Sequence, residues 1–464
     1  MPTVSLCVIA RNEAANLEAC LRPLLPLVHE TVVADTGSTD ATRSIAEACG
    51  ARVFNFPWCD DFAAARNETL RRATGDWILW MDADDRLDEE NTRRLADLLA
   101  GLNDDKVAHL MSCVSLAADG QPSVETKHVR LFPSSPAHRW ARRVHEQILP
   151  SLRASGCVMN DTGIAVHHVG YQEHGVFLGK IERNLRLLEL EYESRPPDGW
   201  YFYQRGGGLF DLRRFPEAIV ALNLAVALAA ADVAPRIHAL LAEAYAHEDQ
   251  GLVDALRAVQ AGRERYPSDP DLLLLEAQIL SALGDQRSAE ASLISALQST
   301  PESGTFALVD ATLGVRARHL LARVYLVERR HNEAEAVVRE ILRERPAFGP
   351  AVLTLGECLL AKGDIQAFDT LAGNIPEGPE TATGRAVLAA MKATRAGDAE
   401  SAVRLVDDAL TRDAQSTFLA KARVFALLRC GHDEARPALD LLLRAQPLDL
   451  EARAASRASR VAGP

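Results

Sequence analysis

The sequence lacks the long apolar runs that mark a membrane-spanning or a secreted chain. Its longest apolar stretch, 218–231, is interrupted by Asn223 and falls short of the roughly 20 residues that a transmembrane helix requires. The apolar run at the start, 4–10, is closed by Arg11 and Glu13 before the core of a secretory signal could form. We therefore expect no transmembrane segment and a cytoplasmic protein.

A surplus of positive charge and closely paired cysteines are also absent. The chain carries 51 Lys and Arg against 64 Asp and Glu, a formal net charge of −13. Binding to the phosphates of nucleic acid depends on clustered positive charge, so we expect no nucleic-acid partner. The eight cysteines are widely spread, and no two have the two-residue spacing of a zinc or redox motif. This distribution excludes a dense disulfide framework and favours mostly buried thiols in a reducing compartment.

The composition that is present, 48% hydrophobic and 25% charged over 464 residues, is typical of a globular protein with two or three domains. The first part alternates short β-rich runs with helical patterns. The predicted strands are 4–10, 31–34, 52–56 and 77–81, and the predicted helices are 13–21, 39–49 and 63–74. Strands joined in this way bind their ligands at their carboxyl ends.

From about residue 200 the strand signals end and a repeat begins. Ala255 and Ala289 are 34 residues apart, and each is followed by an apolar residue after four positions and a small residue after seven. A proline closes both units 12 residues after the alanine. The same frame fits Ala218 and Ala334, and weaker copies begin at Gly356, Ala402 and Ala435, giving about seven units. The Gly206-Gly207-Gly208 run lies in the first unit without a preceding strand and is not a phosphate loop.

This pattern resembles the tetratricopeptide repeat, whose period is about 34 residues. Each unit is a helix pair that cannot bury its apolar face alone, so stacked pairs share a core and present a concave surface to a partner. The resemblance implies an all-α solenoid. A peptide or protein acceptor held by the repeats is the partner that such a surface suggests.

The clearest chemical signal is the apolar run 77–81, which leads directly into Asp82 and Asp84. Two carboxylates two residues apart at the end of a buried strand can converge on one hard cation and its phosphate ligands. Mn²⁺ or Mg²⁺ suits oxygen ligands of this kind. The alternative is an acidic turn exposed to solvent.

Four motifs resemble, in order and spacing, the family 2 glycosyltransferases of the GT-A fold. They are 8–13 (Val-Ile-Ala-Arg-Asn-Glu), 33–40 (Val-Ala-Asp-Thr-Gly-Ser-Thr-Asp), 65–67 (Ala-Arg-Asn) and 82–84 (Asp-Ala-Asp). The resemblance implies a Rossmann-like mixed α/β sheet and a metal-dependent hexosyltransferase that inverts the sugar. It also implies a nucleotide-sugar donor, which we expect to be a UDP-sugar.

The resemblance assigns the nucleotide to Asn12 and Glu13 of the first motif and to Asp35, which contacts the base at the end of the second strand. Ser38 or Thr39 is then expected to cap the following helix, independently of Asp35. Arg66 and Asn67 match positions near the nucleotide and its diphosphate, where a guanidinium offsets phosphate charge. An exposed helical arginine is the alternative for Arg66.

Two histidine-containing segments follow the acidic motif. Glu146 resembles the acidic residue that takes the acceptor's proton, and its neighbour His145 is a competing candidate for this base. The segment 165–171 is similar to the His-x-Gly-Tyr segment that closes the catalytic domain in repeat-tailed members of the family. His168 is a candidate third metal ligand beside Asp82 and Asp84, with His167 as its rival.

Together these patterns predict three parts. Residues 1–175 form a GT-A domain, 176–198 a helical linker and 199–456 a tetratricopeptide-repeat solenoid. The expected function is glycosyl transfer to an acceptor. One alternative is a repeat-based adaptor with a vestigial transferase domain, and another is a transferase with a lipid-linked or polysaccharide acceptor.

Overall fold

The computed structural model of the chain describes residues 2–116, 122–169, 174–194, 196–228, 234–299, 313–414 and 416–461. The described residues form two compact units. The N-terminal unit comprises those up to 228, and the C-terminal unit comprises those from 234 onward. The two units differ in kind, because all the described strands belong to the first.

The N-terminal unit is built on an eight-stranded sheet with the strand order β3-β2-β1-β4-β7-β6-β8-β5. The strands are β1 (Val4–Ala10), β2 (Glu30–Asp35), β3 (Arg52–Asn55), β4 (Trp77–Asp82), β5 (Asp85–Arg86), β6 (Val107–Leu116), β7 (Pro122–Pro133) and β8 (Val158–His168). The helices of this unit are α1 (Leu17–Leu21), α2 (Thr42–Ala48), α3 (Phe62–Arg72), α4 (Glu89–Ala100), α5 (Leu149–Ala154), α6 (His174–Ser194), α7 (Gly199–Asp211) and α8 (Phe215–Ala227).

Strands β1 to β4 pair in parallel, and β7 joins them antiparallel to β4, so the sheet is mixed as the sequence predicted. The register aligns the carboxyl ends of three strands. Ala10 of β1 is opposite Asp35 of β2, and Ile9 is opposite Asp82 of β4. The predicted nucleotide and metal residues therefore lie at one edge of the parallel part of the sheet.

The sheet curls along its width. Strand β5 follows β4 after only Ala83 and Asp84, yet three strands, β7, β6 and β8, separate β5 from β4 in the sheet. Flat strands would place β4 and β5 about 19 Å apart, at about 4.8 Å per step. The three residues from Asp82 to Asp85 reach about 10 Å at most. The carboxyl end of β4 and the far edge of the sheet must therefore approach each other.

Strand β1 is buried on both faces because each face supplies a different core. Leu6 and Val8 belong to a cluster that includes side chains of α1 and α4. Cys7, between them in sequence, belongs to a cluster on the other face with Ala63 of α3. This double burial explains the continuous apolar run, which is typical of parallel strands covered by helices on both sides.

The expected cap of the second helix is wrong. Helix α2 begins at Thr42 rather than Thr39, and neither Ser38 nor Thr39 is its N-cap residue, which is Ala41. Ser38 and Thr39 instead bind Asn12, because the Ser38 hydroxyl accepts a hydrogen bond from the Asn12 N–H and the Thr39 N–H donates to Asn12 Oδ1. The two residues join the loop after β1 to the loop after β2, which delays the start of the helix.

Helix pairs make up the rest of the described chain, as the repeat pattern predicted. The first pair, α7 and α8, belongs to the N-terminal unit. The C-terminal unit holds six further pairs and a final helix: α9 (Ala234–Ala246), α10 (Leu252–Arg265), α11 (Pro270–Leu283), α12 (Gln286–Gln298), α13 (Leu313–Val327), α14 (His331–Glu344), α15 (Gly349–Lys362), α16 (Ile365–Gly373), α17 (Pro379–Arg395), α18 (Ala399–Leu410), α19 (Thr417–Cys430), α20 (Ala435–Ala445) and α21 (Leu450–Val461).

The alanines that mark the repeat lie in the second helix of a pair and are buried. Ala255, Ala289 and Ala334 are fully buried in α10, α12 and α14. Gly356 does not fit this frame, since it lies in α15, the first helix of its pair. A side chain there would clash with Leu388 and crowd Phe368, and this phenylalanine is the buried residue of the short second helix, α16. Gly356 makes room for a large neighbour instead of marking the repeat.

The structure bears on the expected lack of a membrane-spanning helix and on the expected burial of the cysteines. Among the described helices, none combines the length and the apolar character needed to cross a membrane. The eight cysteines are free, but only four of them are buried, because Cys49 and Cys113 are half-buried and Cys59 and Cys430 are exposed. The expectation of mostly buried thiols therefore holds for only half of them.

The small residue in the second helix of the repeat can be tested at Gly262. A Cβ there would lie 2.7 Å from His238 Cβ and 3.1 Å from Leu272 Cδ1. We expect Gly262→Ala to lower the free energy of unfolding of the C-terminal unit by about 1 to 3 kcal/mol, because the neighbouring helix must move. Thermal unfolding followed by far-UV circular dichroism measures the change.

Gly384→Ala is the matched control. It lies inside α17 with open space at its Cβ, and should raise the stability of the same unit by up to about 1 kcal/mol through helix propensity. Equal shifts in the two variants would contradict the packing role of Gly262.

Candidate functional site

The acidic motif forms a tight turn between two strands. Asp82 ends β4, Asp84 lies in the turn and Asp85 begins β5. Asp84 and Asp85 are buried, and the Asp82 N–H donates a 2.8 Å hydrogen bond to Asp85 Oδ2, which closes the turn. The turn therefore gathers three carboxylates at the carboxyl end of β4.

Arg66 of α3 joins this turn to the candidate base. Its Nη2 lies 2.7 Å from Asp82 Oδ1, and its Nε lies 2.6 Å from Glu146 Oε1. The guanidinium carbon is 4.3 Å from the ring centroid of Trp80 and 5.0 Å from that of Trp140. The alternative of an exposed helical arginine is wrong, because Arg66 is buried. Two carboxylates and two aromatic rings fix its position.

A second buried cation, Arg130 of β7, was not predicted from the sequence. Its Nη1 lies 2.8 Å from Asp85 Oδ2 and 3.8 Å from Asp82 Oδ2, and its guanidinium carbon is 3.9 Å from the centroid of Trp80. Asp85 is 0% exposed and Arg130 is 1% exposed. Asp85 follows the recognised motif directly, but its partner is 45 residues away on an antiparallel strand. The signal that the sequence does offer is the acidic run that contains Asp85, because carboxylates so close together need a compensating cation.

The two histidines at the end of β8 face different partners. His168 Nδ1 lies 3.1 Å from Asp85 Oδ1 and 3.4 Å from Asp84 Oδ1. His167 Nε2 lies 3.4 Å from Asp88 Oδ2, and Asp88 caps α4. The structure thus brings His168, and not His167, to the acidic turn. The rest of the expected His-x-Gly-Tyr segment, 170–171, lies outside the described residues.

Burial and the neighbouring charges shift the pKa values of the turn. Burial tends to raise the pKa of Asp82, but the guanidinium groups of Arg66 and Arg130 hold it below its ordinary value. Burial raises the pKa of Asp84 to about 6, since the attraction of His168 does not offset this burial and the neighbouring carboxylates add to it. Burial tends to lower the pKa of His168, but its hydrogen bond to Asp85 and the charge of Asp84 raise it overall. A bound cation would be stabilised here.

The side chains around the turn are of the types that bind a divalent metal ion. Asp82 and Asp84 offer carboxylate oxygens, and His168 offers a ring nitrogen beside Asp84. Among the described residues, the three potential ligands whose donor atoms all lie within 4.8 Å of one another are Asp85, His168 and Cys113. In that second set Arg130 pairs with Asp85 and contacts Cys113 Sγ, and burial raises the pKa of the Cys113 thiol to about 11, which disfavours the thiolate that a metal would bind.

The expected nucleotide residues lie at the ends of β1 and β2. Asp35 is buried at the end of β2, and its Oδ1 accepts a 3.0 Å hydrogen bond from the Ser38 N–H. Asn12 has a φ of 56° and is bound to the loop after β2. The Glu13 N–H donates to the Thr42 hydroxyl at 2.7 Å. Both loops are therefore held in place by side chains of the protein itself.

Asn67 contacts a loop of the protein itself. Its Nδ2 donates to the Trp140 carbonyl, and its Oδ1 accepts from the Trp140 N–H, each at 2.9 Å. Trp140 precedes the segment Ala141–Gln147, which we call the Glu146 loop. The structure thus uses both ends of the Asn67 amide to hold the entry to this loop.

The two candidate bases sit side by side in the Glu146 loop. Glu146 contacts Arg66 and through it the acidic turn. Burial lowers the pKa of His145 from its ordinary value, and this residue has a left-handed backbone with a φ of 51°. Of the two, Glu146 is the one that Arg66 connects to Asp82, because this arginine forms an ion pair with each of them.

Comparison with known proteins was made at the level of families and of individual relatives. The family model described as Glycosyl transferase family 2 matches residues 5–148. The N-terminal part of the chain therefore carries a family 2 glycosyltransferase domain, which confirms the resemblance of its four motifs. The matched segment contains Asp35, Arg66, Asp82 and Glu146 and ends before His168.

Two relatives match less than half of the chain. A TPR repeat-containing protein of Synechococcus elongatus is 34% identical over 214 residues, which cover 45% of this chain and 52% of that protein. The SPbeta prophage-derived glycosyltransferase SunS of Bacillus subtilis is 28% identical over 231 residues, covering 45% of this chain and 50% of that protein. The chain thus spans about half the length of these relatives.

Among solved structures, glucosyl-3-phosphoglycerate synthase from Mycobacterium tuberculosis, in complex with Mn²⁺ and UDP-glucose, is 28% identical. The likeness covers 25% of this chain and 44% of that chain, with a TM-score of 0.21. At this score it does not bear on the fold or the ligands of the present chain.

The buried pair of Arg130 and Asp85 generates a stability prediction. Arg130→Leu leaves the Asp85 carboxylate buried without its cation, so we expect it to lower the free energy of unfolding by about 3 to 5 kcal/mol. Urea unfolding followed by tryptophan fluorescence measures this in the N-terminal unit, since all five tryptophans lie between residues 58 and 200.

Lys127→Leu, also on β7, is the control. It removes a partly exposed pair with Asp161 and should cost less than about 1 kcal/mol. Similar losses in the two variants would show that burial does not decide the contribution of Arg130.

Proposed function

We propose that the chain is an inverting, metal-dependent glycosyltransferase that moves a sugar from a UDP-sugar donor to a peptide or protein acceptor. One observation carries the proposal, which is the meeting of Asp82, Asp84, His168, Arg66 and Glu146 at the carboxyl end of β4. A family 2 glycosyltransferase domain supports glycosyl transfer in general. The donor, the metal and the acceptor are proposed from the chemistry of the site.

In this proposal the donor lies across the ends of β1, β2 and β4. Asp35 binds the base, with Asn12 and Glu13 beside it in the loop after β1. Asp82 and Asp84 would hold Mn²⁺ or Mg²⁺, with His168 as a third ligand. When bound, this ion neutralises charge on the diphosphate and so favours its departure. Arg66, fixed by two carboxylates, adds positive charge near the same diphosphate without having to reorganise.

Glu146 is the proposed general base. It takes the proton from the acceptor as the acceptor atom bonds to the anomeric carbon and the bond from that carbon to the diphosphate breaks. Attack from the face opposite the leaving group inverts the anomeric centre. Glu146 is favoured over His145 because its ion pair with Arg66 holds it beside the metal-binding carboxylates.

The proposed peptide or protein acceptor rests on the repeats. Six helix pairs of the C-terminal unit follow one another, which is the arrangement that leaves a continuous surface for an extended partner. A lipid-linked or polysaccharide acceptor would instead be favoured by co-sedimentation of the chain with membranes.

Calorimetric titration with UDP in the presence of Mn²⁺ tests the donor site. We expect the double variant Asp82→Ala, Asp84→Ala to bind UDP about a hundredfold more weakly, because the diphosphate loses its metal bridge. Removing the metal with a chelator should weaken the wild-type chain to a similar extent.

The matched control, Asp97→Ala with Asp105→Ala, removes two exposed carboxylates from the same unit and should bind UDP like the wild type. Unchanged affinity in the Asp82 and Asp84 variant would rule out the proposed site. Binding of UDP without release of UDP from any UDP-sugar would favour an adaptor with a vestigial transferase domain.

A further inference from the structure

The Glu146 loop has an unfavourable backbone conformation. A reciprocal pair of backbone hydrogen bonds closes it, from Ala141 N–H to the Gln147 carbonyl at 3.0 Å and from Gln147 N–H to the Ala141 carbonyl at 2.9 Å. Within it, Arg142 has a φ of 82° and His145 a φ of 51°. Residues other than glycine rarely adopt such angles unless their surroundings impose them. The loop therefore needs external support to keep this shape.

Helix α6 supplies the first support. Glu191 is 6% exposed, and its Oε2 accepts a 2.8 Å hydrogen bond from the Arg143 N–H. Val144 is buried in a cluster with Leu187 and Leu188 of the same helix. A hydrogen bond from the backbone to the buried Glu191 side chain and an apolar contact thus hold the middle of the loop against α6.

The start of α7 supplies the second support. Asp198 binds the Arg142 guanidinium, with Nη2 2.7 Å from Oδ2. The other oxygen of Asp198 accepts a 2.9 Å hydrogen bond from the Tyr201 N–H and so caps α7. Arg142, one of the two left-handed residues, is therefore tied directly to a helix end.

A third connection runs through the turn before α3. The Phe62 N–H donates to the Arg143 carbonyl at 2.8 Å, and Arg143 Nη1 donates to the Asp60 carbonyl at 3.3 Å. Asp60 has a φ of 57°, and its carboxylate accepts hydrogen bonds of 2.5 and 3.0 Å from Arg186 of α6. Arg143 is thus tied to α6 twice, directly through its N–H and indirectly through this turn.

The helices that supply the first two supports, α6 and the start of α7, lie beyond the segment that matches the transferase family, which ends at residue 148. We propose that α6 and the start of α7 are part of the catalytic unit, and that Glu191 and Asp198 are positioning residues. They hold the Glu146 loop in the conformation in which Glu146 reaches Arg66. This inference rests on the proposed function for the role of Glu146, and it changes the expected role of 176–198 from a linker to a brace.

Hydrogen exchange in the full-length chain tests the brace without any ligand. In Glu191→Ala the Arg143 N–H loses its acceptor, so we expect the amides of residues 141–147 to exchange about tenfold faster. Glu191→Gln keeps an oxygen in place and should restore most of the protection. Glu193→Ala, exposed on the same helix, is the control and should leave the exchange unchanged. Unchanged exchange in Glu191→Ala would refute the proposal.

Kinetics then separate positioning from a general loss of structure. The substrate is whichever of UDP-glucose, UDP-galactose and UDP-N-acetylglucosamine the wild type hydrolyses fastest with Mn²⁺. We expect Glu191→Ala to lower kcat for UDP release about tenfold while the donor KM and the UDP affinity stay within about twofold. In a Glu146→Gln background, the same change should have little further effect, because both residues act through one carboxylate.

The outcomes distinguish this inference from the proposed function. An equal tenfold loss in the Glu146→Gln background, or a loss confined to KM, would overturn the positioning role. Absence of UDP binding in the wild type would contradict the proposed function, and the hydrogen exchange would still decide whether Glu191 holds the loop. Tryptophan fluorescence confirms that each variant retains the folded N-terminal unit.

Discussion

The burial of carboxylates at the end of β4 is the constraint on which the N-terminal unit depends. Asp82, Asp84 and Asp85 lie in one four-residue stretch, and the last two are buried. Like charges so close together are unfavourable without compensation. Two guanidinium groups supply it from opposite directions in the chain, Arg66 from a helix and Arg130 from a strand. Both contact Trp80, so the strand that delivers the carboxylates also holds their counter-charges. The network still leaves Asp84 without a guanidinium partner among the ion pairs of the described residues, as a site for an added cation requires.

Local signals in the sequence predicted the parts of the site that lie next to one another in the chain. The four parallel strands follow from apolar runs that end in polar residues, and the register then brings Asp35 and Asp82 to the same edge. Arg66 was placed near the site only through the resemblance to a family. Arg130 could not be found in this way, because its partnership with Asp85 depends on antiparallel pairing that no local pattern specifies.

Local rules failed where a side chain serves a distant segment. Ser38 and Thr39 have the sequence of a helix cap, but their groups bind Asn12 across the sheet edge. Gly356 has the size expected of a repeat marker, but it accommodates Phe368 and Leu388. The repeat itself was predictable because its period reflects contacts between neighbouring helices, which recur at a fixed distance in the chain.

Because the sheet curls, the geometry of the acidic turn depends on strands of the N-terminal unit that are far from it in the sequence. Asp84 lies on the two-residue link between β4 and β5, whereas His168 is the last residue of β8. The two side chains are close to each other because the sheet curls and brings β8 back towards the end of β4. A substitution that flattened the sheet anywhere between β7 and β8 would draw His168 away from Asp84 without altering either residue. The distance between the Asp84 and His168 side chains therefore reports whether the curl of the sheet is intact.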